Sequence, residues 1–174
     1  MNPRLAYAPE GLDAAAETGV LEGLQGVLRD PALPWLPDVR LEGQLLRPLI
    51  ATIGRDRDAL PGDEAFWRAA LAIQLAHEAS LLHDDIVDGA ETRRGRPTLA
   101  VSRGIPAALV RGDQLLTAAY RLAAETGAPE FTRLFARAIE RTVAGELRQA
   151  SSSGEAISRN DYREIVLGKS GELM

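Results

Sequence analysis

The chain has 174 residues, of which 45% are hydrophobic and 26% charged, so it is long enough to bury a core and is predicted to be globular. Lys plus Arg is 20 against 25 Asp plus Glu, and the resulting net charge of −5 argues against a protein that binds nucleic acid through a basic surface. Since the chain has no cysteine and no apolar run of about 18 residues, the sequence excludes disulfides and thiolate metal sites and predicts a cytoplasmic protein without a transmembrane segment.

The sequence predicts an all-α fold. Alanine recurs in pairs and triplets, whereas the alternation of Val, Ile and Thr that a strand needs is almost absent. Helices are predicted at residues 12–29, 41–53, 63–88, 106–126, 130–151 and 159–174. Residues 31–37, rich in proline, and 151–154, rich in serine, are predicted to be connections, and we interpret residues 1–174 as a single domain.

Capping signals support two of these helix starts. Asp63 and Glu64 place negative charge where the third helix begins, which the helix dipole favours. Ser158 and Asp161 have the spacing of a capping box before the last helix.

The last predicted helix runs to Met174 and carries an apolar face that needs a neighbour. Its members are Tyr162, Ile165, Val166 and Leu173. We expect either that another chain completes the fold or that the sequence is shortened relative to its relatives.

The stretch LAHEASLLHDDIVDGAETRRGRPT, residues 75–98, carries the clearest chemical signal. It places Asp84, Asp85 and Asp88 at the end of the third helix, where they repel one another and oppose the helix dipole. Helical spacing puts Asp84 and Asp88 one turn apart on one face, with His77 two turns earlier on nearly the same stripe. Positive charge is therefore expected to compensate the carboxylates.

The residue types favour a site for a divalent cation and a diphosphate. Mg²⁺ prefers one or two carboxylates together with phosphate oxygens and water. Arg93 and Arg94 follow closely, and their guanidinium groups could clamp the same phosphates. The alternative is a solvated ion-pair network, but the preceding run LAIQLAHEASLL is too apolar for an outer helix.

Three further basic residues are interpreted separately. We expect His83 to be a packed histidine, whereas His77 could donate a hydrogen bond to a phosphate. Lys169 is the only lysine of the chain, which indicates either a specific role or a general preference for arginine. It lies in GKS, but Arg163 stands where a phosphate-binding P-loop requires glycine.

Together the motifs resemble the trans-type polyprenyl diphosphate synthases, the all-α isoprenyl diphosphate synthase family. SLLHDDIVDGAETRRGRPT is similar to that family's first aspartate-rich motif and the arginine segment after it. Further segments are similar to family motifs in the same order: LEGQLLRPLI at 41–50, RGDQLL at 111–116, AGEL at 144–147 and GKSGEL at 168–173. The resemblance covers the N-terminal half of the family's domain and implies a helical bundle of the isoprenoid synthase type that is incomplete in this chain.

The resemblance implies an Mg²⁺-dependent condensation of isopentenyl diphosphate with an allylic diphosphate. Asp84, Asp85 and Asp88 would bind Mg²⁺ on the allylic diphosphate, and Arg93 and Lys169 would contact that diphosphate. The allylic substrate would ionise, and the isopentenyl double bond would attack the carbocation before a proton is lost.

The resemblance also implies which residues bind the second substrate and which residues control the length of the product. Arg47, His77 and Arg94 would belong to the isopentenyl diphosphate site. Ala79 and Ser80 lie one turn before Asp84, where the family uses bulky aromatic residues to stop elongation early, so small residues imply a medium or long product.

The sequence departs from the family's pattern at several points. Gln44 and Leu45 stand where the family has Lys and Arg, which removes two charges from the isopentenyl diphosphate site. Glu146 stands where the family usually has Gln and adds a negative charge near the substrates. The family's second aspartate-rich motif is expected beyond residue 174.

Two functions therefore stay open from the sequence. The first is a prenyl-elongating transferase that works in an oligomer, either a homodimer or a heteromer whose other chain supplies the second motif. The second is a non-catalytic or regulatory subunit that binds diphosphate and Mg²⁺ for a catalytic partner. A terpene cyclase is a third reading, against which the RRGRPT segment argues.

Overall fold

The computed structural model describes residues 14–36, 39, 41, 45–53, 62–152 and 156–172. Within these ranges the chain forms seven α-helices and one two-stranded hairpin. The helices are Ala14–Leu28 (α1), Leu46–Ala51 (α2), Glu64–Val87 (α3), Leu99–Arg103 (α4), Ile105–Glu125 (α5), Pro129–Ser151 (α6) and Arg159–Val166 (α7). The hairpin strands are Thr92–Arg93 (β1) and Arg96–Pro97 (β2). The all-α prediction is confirmed.

Side chains cap both of these predicted helix starts. The Asp63 side chain accepts a hydrogen bond from the backbone N–H of Phe66 at 2.9 Å, which starts α3. Ser158 Oγ accepts from the Asp161 N–H at 3.1 Å and donates to the Asp161 carboxylate at 2.6 Å, which starts α7. At each of these two helix starts, one of the four backbone N–H groups without an intrahelical partner is thereby matched to a side chain.

Two predicted helices are shorter in the structure. Among the described residues of the segment 41–53, the helix is α2, and it starts after Leu45 because that residue has a φ of 48°, a left-handed conformation that cannot continue a helix. Part of that prediction, including Gln44, lies outside the described residues. The final helix ends at Val166 and widens into a π-helical turn, Leu167–Gly171, in which the Glu172 N–H donates to the Leu167 carbonyl at 3.1 Å.

The hairpin and α4 were not predicted from the sequence. Arg94 has a φ of 51° and Gly95 a φ of 76°, as a tight two-residue turn between antiparallel strands requires. Thr98 then caps α4, since its hydroxyl oxygen accepts from the Val101 N–H at 3.3 Å. Because the strands have two residues each, no alternation of polar and apolar residues could reveal them.

Helix α3 is the centre of the core and packs against α1, α2 and most extensively α5. Leu71 and Leu75 of α3 and Leu122 of α5 are fully buried. Both helices also bury several alanines, and these small side chains let the two backbones approach closely. The buried alanines are Ala70, Ala72, Ala76 and Ala79 on α3 and Ala108, Ala118, Ala119 and Ala123 on α5.

Large apolar side chains also remain exposed on α6 and α7. Leu147 is 65% exposed, Tyr162 60% and Val166 42%, whereas Ile165 is buried. The expected apolar face of the last helix is therefore only partly covered, and Leu173 lies outside the described residues. In the parts of the chain with described structure, none of the helices is long and apolar enough to cross a membrane.

Candidate functional site

Three aspartates stand at the end of α3, and their surroundings differ. The Asp84 side chain is 16% exposed, the Asp85 side chain is 4% exposed, and Asp88 is exposed. Asp88 ends the helix, and its N–H donates to the Asp84 carbonyl at 2.8 Å. Asp84 and Asp88 are thus one turn apart, as the spacing predicted.

The Asp85 carboxylate is bound by Arg93 of the hairpin. Nε and Nη2 of Arg93 both lie 2.7 Å from Asp85 Oδ1. The hydrogen bond that Arg93 donates to Asp85 raises the pKa of Arg93, although partial burial opposes it. The hairpin thus places a cation beside the Asp85 carboxylate, whose burial without a charged partner would be unfavourable in free energy.

That Asp84, Asp85 and Asp88 bind one metal ion together stays a prediction. Among the described residues, no three His, Cys, Asp or Glu side chains come together closely enough to hold a metal ion. Asp85 is buried and already paired with Arg93, which leaves Asp84 and Asp88 as the carboxylates facing the open end of the helix.

Lys169 reaches the same end of α3 from the π-helical turn. Its Nζ lies 2.9 Å from Glu146 Oε2 on α6 and 3.6 Å from Asp84 Oδ2. The three side chains are partly buried, being 26%, 29% and 16% exposed respectively. Of the two interpretations of the single lysine, its position therefore favours a specific role.

Close contact between α6 and the π-helical turn brings Lys169 to this position. A Cβ added to Gly145 would lie 2.8 Å from the Lys169 backbone nitrogen, too close for any side chain. A Cβ on Gly168 would lie 3.1 Å from the Arg141 carbonyl oxygen. The glycines of AGEL and GKSG thus let the two backbones touch, and Glu146, next to Gly145, meets Lys169 there.

The positive charges at this end of α3 only partly balance the negative charge around Asp84. Burial, then the negative charge of Glu146, raises the pKa of Asp84, while Lys169 and Arg93 act against the rise. Burial alone would lower the pKa of Lys169, but the hydrogen bond to Glu146 and the charge of Asp84 raise it overall. The site therefore has surplus negative charge, which a cation would neutralise.

Three arginines from α2 and the hairpin lie close enough to His77 to affect its ionisation. Burial, then the charges of Arg47, Arg94 and Arg93, lower the pKa of His77 to about 4. His77 is thus neutral at pH 7, with one ring nitrogen able to donate and one able to accept a hydrogen bond. The structure brings together the residues expected at the isopentenyl diphosphate site.

A polar pair that the sequence did not reveal lies beside Arg47. Gln74 is buried, and its Nε2 donates to Glu78 Oε1 at 2.8 Å. Burial lowers the pKa of Arg47, and the charge of Glu78 opposes this effect. Arg47 Nε is buried and has no hydrogen-bond partner among the described residues, so the guanidinium keeps a donor for an anion. The only sequence signal was a polar residue inside an apolar run.

The residues predicted to set product length lie one turn before Asp84. Ala79 is 1% exposed and belongs to the packed core, while Ser80 is half-buried and its hydroxyl donates to the His77 carbonyl at 2.8 Å. On the other side of α3, His83 Nε2 lies 3.4 Å from Asp113 Oδ1 and 3.4 Å from the Leu109 carbonyl. His83 is therefore packed against α5, as expected.

The donor set at Asp84 and Asp88 fits Mg²⁺. Both are carboxylates one turn apart, and only Lys169, at 3.6 Å from Asp84, approaches as a cation within salt-bridge distance in the described structure. Two carboxylates leave the other coordination positions of the ion to phosphate oxygens and water, and proteins usually hold Mg²⁺ in this way. The pKa of Asp84 is raised because burial and the charge of Glu146 disfavour its charged form, and a bound cation would counteract both effects.

Comparison with known sequences gives a consistent result. The family model described as "Polyprenyl synthetase" matches residues 38–174. The chain is 34% identical to nonaprenyl diphosphate synthase of Mycobacterium tuberculosis, over 76% of this chain and 39% of that protein. It is 37% identical to heptaprenyl diphosphate synthase component 2 of Geobacillus stearothermophilus, over 83% of this chain and 42% of that protein. The chain thus spans about two fifths of the length of these relatives.

Solved structures agree with the sequence comparison. The polyprenyl synthase of Caulobacter crescentus, solved with calcium and isoprenyl diphosphate, superposes with a TM-score of 0.73 and is 29% identical. The match covers 91% of this chain and 50% of that one.

Proposed function

The chain belongs to the polyprenyl synthetase family, and we propose that it takes part in Mg²⁺-dependent condensation of isopentenyl diphosphate with an allylic diphosphate. The observation that carries the proposal is that Lys169 Nζ lies 3.6 Å from Asp84 Oδ2 at the end of α3, where Asp88 also lies. This arrangement offers oxygen donors to a metal and an ammonium group to a diphosphate. The calcium and isoprenyl diphosphate bound by the Caulobacter crescentus protein support it.

In the proposed reaction the allylic C–O bond breaks and its electron pair leaves with the diphosphate. Lys169 donates hydrogen bonds to the diphosphate oxygens, and Arg93 adds positive charge from the hairpin while it remains anchored on Asp85. Mg²⁺, held by Asp84 and Asp88, would supply the remaining charge that stabilises the leaving group.

The isopentenyl double bond then attacks the allylic carbon, and a proton leaves the new cation. Arg47 and Arg94 hold the diphosphate of this second substrate. Neutral His77 donates its ring N–H to the same phosphates without adding charge. Leu45 in place of a family arginine leaves this group of residues with less charge than the family pattern has.

We also propose that the product is medium or long. Ala79 and Ser80 are small, so neither side chain has the bulk of the aromatic residues that stop elongation early in the family. The names of the relatives, heptaprenyl and nonaprenyl synthases, support this direction.

The active form is proposed to be an oligomer. The exposed apolar side chains of α6 and α7 need a partner, and one relative is named as component 2 of its synthase. Either a homodimer or a heteromer satisfies this need.

The alternative function is a non-catalytic diphosphate-binding subunit. It is favoured by Glu146, which holds Lys169 at 2.9 Å and adds negative charge where substrate would bind. In that case the chain binds diphosphate and Mg²⁺ and a partner performs the chemistry.

The test compares the wild-type chain with Asp84→Asn, and with Asp113→Asn on α5 as a control for loss of one carboxylate. Calorimetry measures binding of inorganic pyrophosphate with and without Mg²⁺, and labelled isopentenyl diphosphate with farnesyl diphosphate reports products by length. Product that disappears only in Asp84→Asn supports the transferase. Asp84-dependent pyrophosphate binding without product supports the subunit, and wild-type protein that binds no pyrophosphate contradicts both.

A further inference from the structure

Glu146 is the side chain of this site whose role the proposed reaction does not require. It projects from α6 beside the Gly145 contact and accepts a hydrogen bond from Lys169 Nζ at 2.9 Å. The same ammonium is 3.6 Å from Asp84 Oδ2, which is beyond a direct hydrogen bond. Lys169 is thus held by Glu146 and only approached by Asp84.

We propose that Glu146 is a positioning residue that occupies Lys169 until a divalent cation binds, and so makes diphosphate binding depend on Mg²⁺. This inference rests on the proposed function of the site as a diphosphate-binding one. It concerns the order of events there: the lysine becomes available to the anion after the carboxylates around it have been neutralised.

Geometry gives Lys169 little freedom to avoid Glu146. The lysine stands on a π-helical turn whose backbone touches Gly145, the residue before Glu146. An alternative backbone position is closed on that side, because Gly168 also packs against the Arg141 carbonyl. The choice left to the ammonium is therefore between side-chain partners, and Glu146 is the nearest in the described structure.

The charge balance supports the same conclusion. Asp84, Glu146 and Asp88 all act on Lys169, so three carboxylates surround one ammonium. Asp85 does not change this balance, since Arg93 already neutralises it. An incoming diphosphate meets net negative charge until a divalent cation neutralises part of it.

The experiment measures the affinity for inorganic pyrophosphate by calorimetry, with Mg²⁺ and with a chelator, in wild type and Glu146→Gln. Glu140→Gln, an exposed glutamate on the same helix, is the matched control. We expect Glu146→Gln to reduce the ratio between the two affinities by about fivefold, mainly by tightening metal-free binding, as loss of one nearby charge in a half-exposed site predicts. Glu140→Gln should leave the ratio within about twofold of the wild type.

A double-mutant cycle separates positioning from simple repulsion. In a Lys169→Met background the effect of Glu146→Gln should largely vanish, because Glu146 acts through the lysine. An effect of full size in that background would overturn the proposal, as would an unchanged ratio in Glu146→Gln. Glu146→Asp is the second variant: it keeps the charge but shortens the reach, and should shift the ratio in the same direction by less.

Failure of this inference differs from failure of the proposed function. If wild type binds pyrophosphate with Mg²⁺ in an Asp84-dependent way but Glu146→Gln behaves like wild type, only the role of Glu146 is overturned. If wild type binds no pyrophosphate under either condition, the diphosphate site itself is overturned and this inference with it. Circular dichroism of each variant confirms that the helices are intact.

Discussion

The two ends of α3 show how one helix can serve two purposes. Its first four turns lie between α1 and α5 and are held by fully buried leucines and small alanines. Its last two turns carry Asp84, Asp85 and Asp88, whose cationic partners come from the hairpin and from the π-helical turn. Apolar packing fixes the position of the first end, and charge determines what the second end can bind.

Because the first end of α3 is apolar and the second is charged, stability and binding depend on different parts of this helix. Burying leucines gives stability that does not depend on any ligand. Like charges at the other end oppose stability and are tolerated because they are paired or will be paired by a ligand. Substitutions at the first end should therefore affect unfolding, and those at the second should affect binding, pH dependence or both.

The largest effect on unfolding is expected at the apolar end. Leu75→Ala removes a fully buried side chain and should lower the free energy of unfolding by about 3 kcal/mol. Leu147→Ala, at a position that is 65% exposed, should change it by less than about 0.5 kcal/mol. Urea denaturation followed by circular dichroism measures both. A cost below about 1 kcal/mol for Leu75→Ala would mean that α3 is not the centre of the core.

A smaller effect is expected where charge replaces apolar packing. Arg93→Met removes the partner of buried Asp85 and should cost about 2 kcal/mol, less than a fully buried pair because Arg93 is partly exposed. Arg94→Met, in the next residue, should cost less than about 0.5 kcal/mol, because Arg94 is exposed.

Both arginine variants should weaken pyrophosphate binding, so the adjacent pair separates anchoring from binding. The same urea titrations give the two stabilities, and calorimetry with Mg²⁺ gives the two affinities. Equal losses of stability in Arg93→Met and Arg94→Met would contradict the role of the Asp85 contact.

The smallest effect concerns pH. The pKa of His77 is lowered to about 4, below the 6.5 of an unperturbed histidine, so protonation favours the unfolded chain. The stability that neutral His77 provides is complete above pH 6.5 and is lost as the pH falls towards 4. After allowance for solvent screening at this half-buried position, the loss should be about 1–2 kcal/mol, and His77→Gln should remove it.

Nuclear magnetic resonance gives the direct measurement for His77. Its imidazole C–H signal should titrate with a midpoint near 4, and the signal is assigned by its disappearance in His77→Gln. A midpoint near 6.5 would show that neither burial nor the guanidinium groups of Arg47 and Arg94 lower the pKa of this ring.

The sequence predicted the long helices because each has a strong local cause. Helices α3, α5 and α6 lie within a residue or two of the predicted segments, and Asp63 caps α3 as expected. The short elements escaped prediction for physical reasons. The hairpin depends on a left-handed Arg94, which no residue pattern indicates, and α2 starts late because Leu45 is left-handed too.

The sequence predicted candidate residues for the site but not the contacts between them. Lys169 lies 3.6 Å from Asp84, and the charges of Arg47 and Arg94 act on His77, while the roles of these residues stay predictions. The pairing of Asp85 with Arg93 could not be anticipated, since it depends on where the hairpin folds back. The hydrogen bond between Glu146 and Lys169 likewise joins residues 23 positions apart through a close approach of two backbones.

The π-helical turn has a consequence for the spacing of the chain. A π-helical turn holds one more residue than an α-helical turn, so residues after it are rotated about the axis relative to an uninterrupted helix. Lys169 lies inside this turn, and its angular position is therefore fixed by the extra residue. Loss of one residue of this turn before Lys169 would restore α-helical phase and rotate the ammonium away from Asp84, while Lys169, Glu146 and Asp84 all remain in the sequence. At this point the number of residues, as much as their identity, is part of the site.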